Sequence, residues 1–301
     1  MASSTGSLSA ALDPGYRLVF FNWIAEHPWE YPAVFNVLQS ERAYEEDILF
    51  SGLRAVPVKD QGAPVEEDDP IQGAAVRYTH LTRALKFRVT REMYDDDLYG
   101  IVRRVVTALA RSAKHTIETI AWDVLNDAFS NTRVGEDGIE LCSTSHTLLG
   151  GGTQSNRPET DIDLTHTGLE IAVDNFERQT DHRGLPMQVT ARWVVVPPEL
   201  KWRAIEILDS PNRSDTADNA VNAFRGEGLD WYMSHFLDAA TAWFVTSAPD
   251  EHDMKFYERD GIEFTSADDF DTGDMMSKVR FRCSSGHTVW QGVWGSPGGA
   301  G

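Results

Sequence analysis

The sequence predicts an α+β protein in which elements from distant parts of the chain pack together, and three observations carry that prediction. One amphipathic stretch of about thirty residues dominates the middle. Strand-like runs lie irregularly on both sides of it. Neither an internal repeat nor a clean linker divides the 301 residues. This length allows one substantial core or two modest ones, and 41% hydrophobic with 25% charged residues is the composition of a folded chain.

Residues 1–16 are small and polar and are expected to be mobile unless a partner holds them. The aromatic-rich "YRLVFFNWIAEHPWEYPAVFNVLQSERAYEED" follows, with Pro28 and Pro32 disfavouring a long helix, so an extended segment is expected. Its aromatics need a surface, either the chain's own core or a neighbouring subunit. From Ile48 to Thr90 the pattern is strand-like: "ILFSGLRAVPV" and "AAVRYTHLTRALKFRVT" flank an acidic tip, "KDQGAPVEEDDPIQG", rich in turn residues. A long two-stranded excursion results, and because an isolated hairpin is marginal in water, it needs something to lie on.

The helix is the clearest element. Asp95, Asp96 and Asp97 are placed to cap its start, and Leu98, Ile101, Val105, Leu109, Ala113, Ile117, Ile120, Val124 and Ala128 recur at three- and four-residue spacing. Beyond it, "EDGIELCSTSHTLLGGGTQSNRP" reads as a loop. "LTHTGLEIAVDNFERQTDHRG" reads as a helix with Leu169, Ala172, Val173 and Phe176 inward and Gly184 as its stop. The strand "QVTARWVVV" meets "PPELKWRAIEIL", where Pro198 suits a helix's first turn. "WYMSHFL" and "TAWFVTSA" read as strands, and the C-terminal region as two or three long antiparallel strands around an acidic turn.

Composition also excludes functions. With 27 Lys plus Arg against 47 Asp plus Glu the formal charge is −20, a surface that repels phosphate backbones. Cys142 and Cys283 are far apart and form neither a disulfide framework nor a thiolate zinc site. No basic region followed by an apolar run opens the sequence, and no membrane span is expected. The stretch "LCSTSHTLLGGGTQSN" holds a thiol, hydroxyls, an imidazole and three glycines, and Cys142 with His146 could make a hydrolase dyad only if they met beside a pocket. No GxSxG elbow or Walker loop is present, and the nine histidines form no HExxH or HxH pair. We therefore expect no catalytic, cofactor or metal residues. Gly150, Gly151 and Gly152 are expected to let the backbone turn with positive φ and approach another segment, with the side chains of Cys142 and His146 dispensable.

In order, these parts are an aromatic arm, a long hairpin with an acidic tip, a beam-like helix, a central mixed region and closing strands. That order, with "VRYTHLTRALKFRVTREMYDDDLYG", "IELCSTSHTLLGGGTQSN", "VVVPPELKWRAIEIL" and "AWFVTSAP", resembles the major capsid proteins of tailed bacteriophages, in particular Mu-like major head subunits, from about residue 17 to 298. The resemblance implies a Hong Kong 97-type fold: N-terminal arm 1–45, extended loop 46–92 lying on a neighbour, spine helix 93–130 of a peripheral domain, axial domain 131–248, and return strands 249–301. It implies copies of the chain in pentamers and hexamers of an icosahedral shell around double-stranded DNA, assembled in the host cytoplasm, with a portal and a possible decoration protein. The arm begins close to Met1, so a separate scaffolding protein is expected. Lys59 lies in the loop, but "DDFDTGDMM" offers no Asn, so no Lys–Asn crosslink is expected. The loop carboxylates Asp60, Glu66, Glu67, Asp68 and Asp69 are expected to meet a neighbour's Arg103, Arg104 and Arg111, with Gly150–Gly152 at another contact. An encapsulin-like nanocompartment is the rival within this fold, and a hydrolase using Cys142 and His146 the rival outside it.

Overall fold

Gly100 takes a left-handed conformation, φ 65°, and this one glycine decides where the long helix begins. A non-glycine residue pays a steric cost there, and the turn breaks any helical path running through it. The structure is a computed structural model that describes residues 8–96, 100–213, 221–269 and 271–299. In chain order the first elements are helix α1 (Leu8–Glu26), strands β1 (Asn36–Gln39), β2 (Tyr44–Phe50), β3 (Gln72–Thr79) and β4 (Leu81–Val89), short helix α2 (Arg91–Asp95) and long helix α3 (Ile101–Asn126). Then come β5 (His146–Thr147), β6 (Thr153–Gln154), α4 (His166–Glu177), β7 (Trp193–Val196), α5 (Lys201–Leu208), β8 (Asp230–Met233) and β9 (Trp243–Thr246). Strands β10 (Met254–Asp268), β11 (Met275–His287) and β12 (Val293–Ser296) close the chain.

Several sequence expectations change. The aromatic arm is helical through Glu26, not extended: Pro28 and Pro32 end α1 instead of preventing it. Helix α3 has 26 residues, about 39 Å at 1.5 Å each, and no acidic residue in its first turn, so Asp95 and Asp96 do not cap it. Asp97 and Leu98 lie outside the described residues. The excursion keeps its two strands, but β2 stops at Phe50, and the run from residue 74 to 90 is not one strand. It breaks at His80: β3 pairs with β2, whereas β4 pairs with β11. Buried His80 fixes that switch, its Nε2 3.0 Å from Ser40 Oγ and its Nδ1 3.0 Å from Ser284 Oγ. Gly184 does not stop α4, which ends at Glu177; it serves a later turn at φ 81°.

Two sheets organise the molecule. The first has the order β1-β10-β11-β4, with β1 parallel to β10 and the remaining pairs antiparallel. Helix α3 lies on it, with α1 alongside, and Phe20, Phe35, Trp122, Phe256, Phe264, Val279 and Phe281 are buried in their shared core. The second sheet, β12-β9-β7-β8, carries α4 and α5 over a core of Leu169, Ala172, Phe176, Val194, Val196, Ala204 and Ile207. Strand β12 joins this second sheet, so the C-terminal region is divided between the two. Trp294 on β12 supplies the reason, packing on Trp243 at 5.0 Å between ring centres.

Candidate functional site

The loop that held the candidate nucleophile is part of the core. Cys142 is fully buried, packs beside Gly295, and burial pushes its thiol well above the ordinary cysteine range, the opposite of an activated thiolate. His146 is also buried, with Nδ1 2.6 Å from Asp137 Oδ2 and Nε2 3.0 Å from Asn156 Oδ1, its ring stacked on Trp290 at 4.4 Å. Both ring nitrogens are committed to oxygen acceptors, so His146 offers no base to Cys142. The His146 side chain ties β5 to the core. Asn156 completes the tie, donating to Leu141 O at 2.7 Å and Val293 O at 3.1 Å and accepting from Ser143 N.

The three glycines form the turn between β5 and β6. Gly151 and Gly152 have φ of 96° and 90°, and a side chain at Gly150 would come within 2.5 Å of His182 O. Here the close approach is to the chain's own residues 182–183.

Beside that turn, Arg183 fastens the base of the acidic loop. Its guanidinium donates to Asp68 Oδ1 at 2.6 Å, to Gly52 O and to Asp69 O, joining both sides of the excursion. Asp68 also accepts from the Arg54 backbone at 2.9 Å, and that bond, with Arg183, holds its carboxyl below the usual range. Glu66 pairs with Arg54 at 2.7 Å. Asp60, Glu67 and the Asp69 side chain have no ion pair among the described residues. The loop between β2 and β3 leaves Val56 95% and Val58 93% exposed, and β2 adds Ile48 and Phe50 to the uncovered apolar surface. Arg103, Arg104 and Arg111 lie exposed on α3, with no carboxylate partner among the described residues.

Two residues that sequence reasoning missed organise this region. Arg183 was hidden because its partners lie more than a hundred residues away. Glu118, on α3 within the apolar stripe, is buried and accepts from Glu30 N at 2.7 Å, Tyr31 N at 3.1 Å and Trp122 Nε1 at 3.2 Å. Burial raises its pKa despite those donors. A lone carboxylate four residues before a tryptophan was the available signal. Among the described residues no group of three or more His, Cys, Asp or Glu side chains is placed to hold a metal, and no helix is long and apolar enough to cross a membrane.

A long helix laid on a sheet of long antiparallel strands, a second sheet carrying its own helices, and an extended loop with bare apolar tips define a Hong Kong 97-type shell subunit. Solved structures agree on the fold. The chain is similar to that of Microbacterium phage Oxtober96, at 12% identity and TM-score 0.55, covering 90% of this chain and 91% of that one. It is similar to the procapsid of bacteriophage JBD30, at 17% identity and TM-score 0.53, over 97% of this chain and 76% of that one. A virus-like particle from Pyrococcus furiosus has 7% identity and TM-score 0.55, over 93% and 97% of the two chains. The profile of the phage capsid protein family matches residues 73–294, and the chain belongs to that family. No curated protein matches it at the sequence level. It is a capsid protein, a component of the virion shell.

Proposed function

We propose that the chain is the major head subunit of a tailed phage, tiling an icosahedral shell of pentamers and hexamers around double-stranded DNA and performing no catalysis. The observation that carries the reading is the loop between β2 and β3, whose exposed valines and outward-facing β2 residues form apolar surface that the subunit does not cover. Bare apolar surface concentrated in one segment supports its reading as a contact surface. In the proposal, β4 stays in the subunit's own first sheet, while the tip of the 46–92 loop lies on an adjacent subunit. Its uncommitted carboxylates Asp60, Glu67 and Asp69 then face that neighbour, while Asp68 and Glu66 stay with Arg183 and Arg54.

The remaining regions take the roles of arm (1–45), spine (93–130), axial part (131–248) and return strands (249–301), with β12 tying the return strands to the axial sheet. A separate scaffolding protein, a portal and a decoration protein are the expected partners, with assembly in the host cytoplasm. The family match favours this reading over a nanocompartment, although the fold itself is common to both. Negative-stain imaging of the purified protein, alone and co-expressed with a candidate scaffolding protein, tests the proposal. Closed shells or ring-shaped capsomers are expected; a compact monomer at every concentration under both conditions would refute it.

A further inference from the structure

Between α1 and α3 runs an open groove of about 760 Å³ whose chemistry is opposite to that of the rest of the molecule. Arg104, Arg111 and Lys114 line it from α3, with His27 on α1, His115 on α3 and His235 beside them. Many other cations of this chain of 47 acidic and 27 basic residues are neutralised internally: Arg77 with Glu46, Arg88 with Asp269, Arg157 with Asp161, Arg280 with Asp260. In the groove Arg104 and Arg111 have no carboxylate partner among the described residues, and Lys114 bonds only a carbonyl, Pro28 O at 2.6 Å. Glu30, beside His235, is consumed by His235 Nδ1 at 2.8 Å, by His235 N and by Ser234 Oγ.

The cations are spaced along one helix. From Arg104 to Lys114 α3 rises about 15 Å, the axial length of roughly four phosphates on one strand of a duplex. The aromatic walls are already occupied: Trp23 stacks on His27 at 4.0 Å, and Phe236 meets His115 edge-on at 5.7 Å. The acidic loop of a second copy has Asp68 and Glu66 already neutralised in its own chain and offers only Asp60, Glu67 and Asp69.

We propose that the α1/α3 groove is a phosphate-binding surface that touches the backbone of the enclosed nucleic acid and so faces the interior of the shell. The inference rests on the shell reading for the source of its phosphate. Against an otherwise acidic wall it makes a local, sequence-independent contact, weak enough to release under salt.

The test titrates a short fluorescent DNA duplex onto the unassembled full chain at several salt concentrations, for wild type, Arg104→Gln/Arg111→Gln and Arg104→Lys/Arg111→Lys. Three counterions released on binding correspond to about a sixfold loss of affinity when salt is doubled; the Gln variant, left with Lys114, should lose about twofold. The Lys variant should keep the wild-type slope. Thermal unfolding of both variants should match wild type, because the changed side chains are exposed. Equal salt slopes in wild type and the Gln variant would overturn the proposal. So would tighter binding of a poly-glutamate peptide than of the duplex, which would assign the groove to an acidic polypeptide, or full displacement of the duplex by inorganic phosphate at the same phosphate concentration. Duplex binding with this dependence in a chain that never forms shells would support the groove and count against the shell reading alone.

Discussion

Asn156 is a single side chain on which three segments depend. It holds the backbone of Leu141, Ser143 and Val293 together from a fully buried position. Asn156→Ala would strand the Leu141 carbonyl, the Ser143 N–H and His146 Nε2 in the core, while Val293 O keeps Gln179 Nε2 at 3.2 Å, and the expected cost is about 2–5 kcal/mol, read by chemical unfolding of the unassembled subunit. Unchanged stability would mean that water replaces the amide. His287 makes a different prediction. It is 2% exposed, neither ring nitrogen has a partner among the described residues, and burial pushes its pKa down to about 4. The folded protein therefore keeps the ring neutral between about pH 6.5 and 4, where the unfolded chain is protonated, so stability is full above about pH 6.5 and falls as pH drops toward 4. The contribution is about 3 kcal/mol at most. Glu118 and Glu136, whose pKa values burial raises, act with the opposite sign, so the informative measurement is the difference between wild type and His287→Gln. The variant's stability should vary less with pH across that window; parallel curves would remove His287 from the account.

At the scale of elements, the acidic loop divides into a clamped base and a free tip. Arg183 holds Gly52, Asp68 and Asp69, while the residues around Val56 and Val58 touch nothing that covers them. Removing residues 57–65 and closing the gap with a short Gly-rich turn should change subunit unfolding by less than about 1 kcal/mol, since exposed tips tolerate such changes. Shell yield should fall sharply. If yield is preserved, the tip is solvated in the assembly and the apolar contact lies elsewhere. A large loss of subunit stability would place the tip in the chain's own core. Helix α3 behaves differently: its buried stripe from Val106 to Leu125 belongs to the subunit, and Glu118 fixes the turn that leads from α1 into β1.

For the whole molecule, stability in the virion is collective. An isolated subunit leaves apolar surface on β2 and the loop exposed, and each contact of standard size in a shell buries on the order of 1,600 Å² in total. At about 25 cal/mol per Å² of apolar surface, such contacts offset the ordering cost of the arms. Assembled particles should therefore unfold at distinctly higher temperature than free subunits in the same buffer, and the gap should narrow for the 57–65 deletion. Identical unfolding temperatures for particle and subunit would show that the contacts add nothing. The net charge of −20 keeps the enclosed polyanion from adhering broadly, with repulsion limited to a Debye length of about 8 Å.

The sequence by itself determined the class of fold and most of its parts: the stripe of α3, the helices at 166 and 201, the strands around Trp193 and Trp243, and the paired long strands near the C-terminus. Each has a local cause, a hydrophobic period or a turn residue, that can be read in one window of chain. Tertiary structure decided the rest. Helix α1 escapes a local reading because Pro28 and Pro32 lie beyond its end, where they terminate the helix without preventing it. The start of α3 depended on the φ of one glycine, and the break at His80 on hydrogen bonds to Ser40 and Ser284, which are remote in sequence. The same remoteness hid the Arg183 clamp and the commitment of His146 to Asp137 and Asn156. Charge composition showed that the chain is acidic, and the spacing of Arg104, Arg111 and Lys114 sets them along α3; only the packing of α1 against α3 turned that row of cations into the wall of a groove.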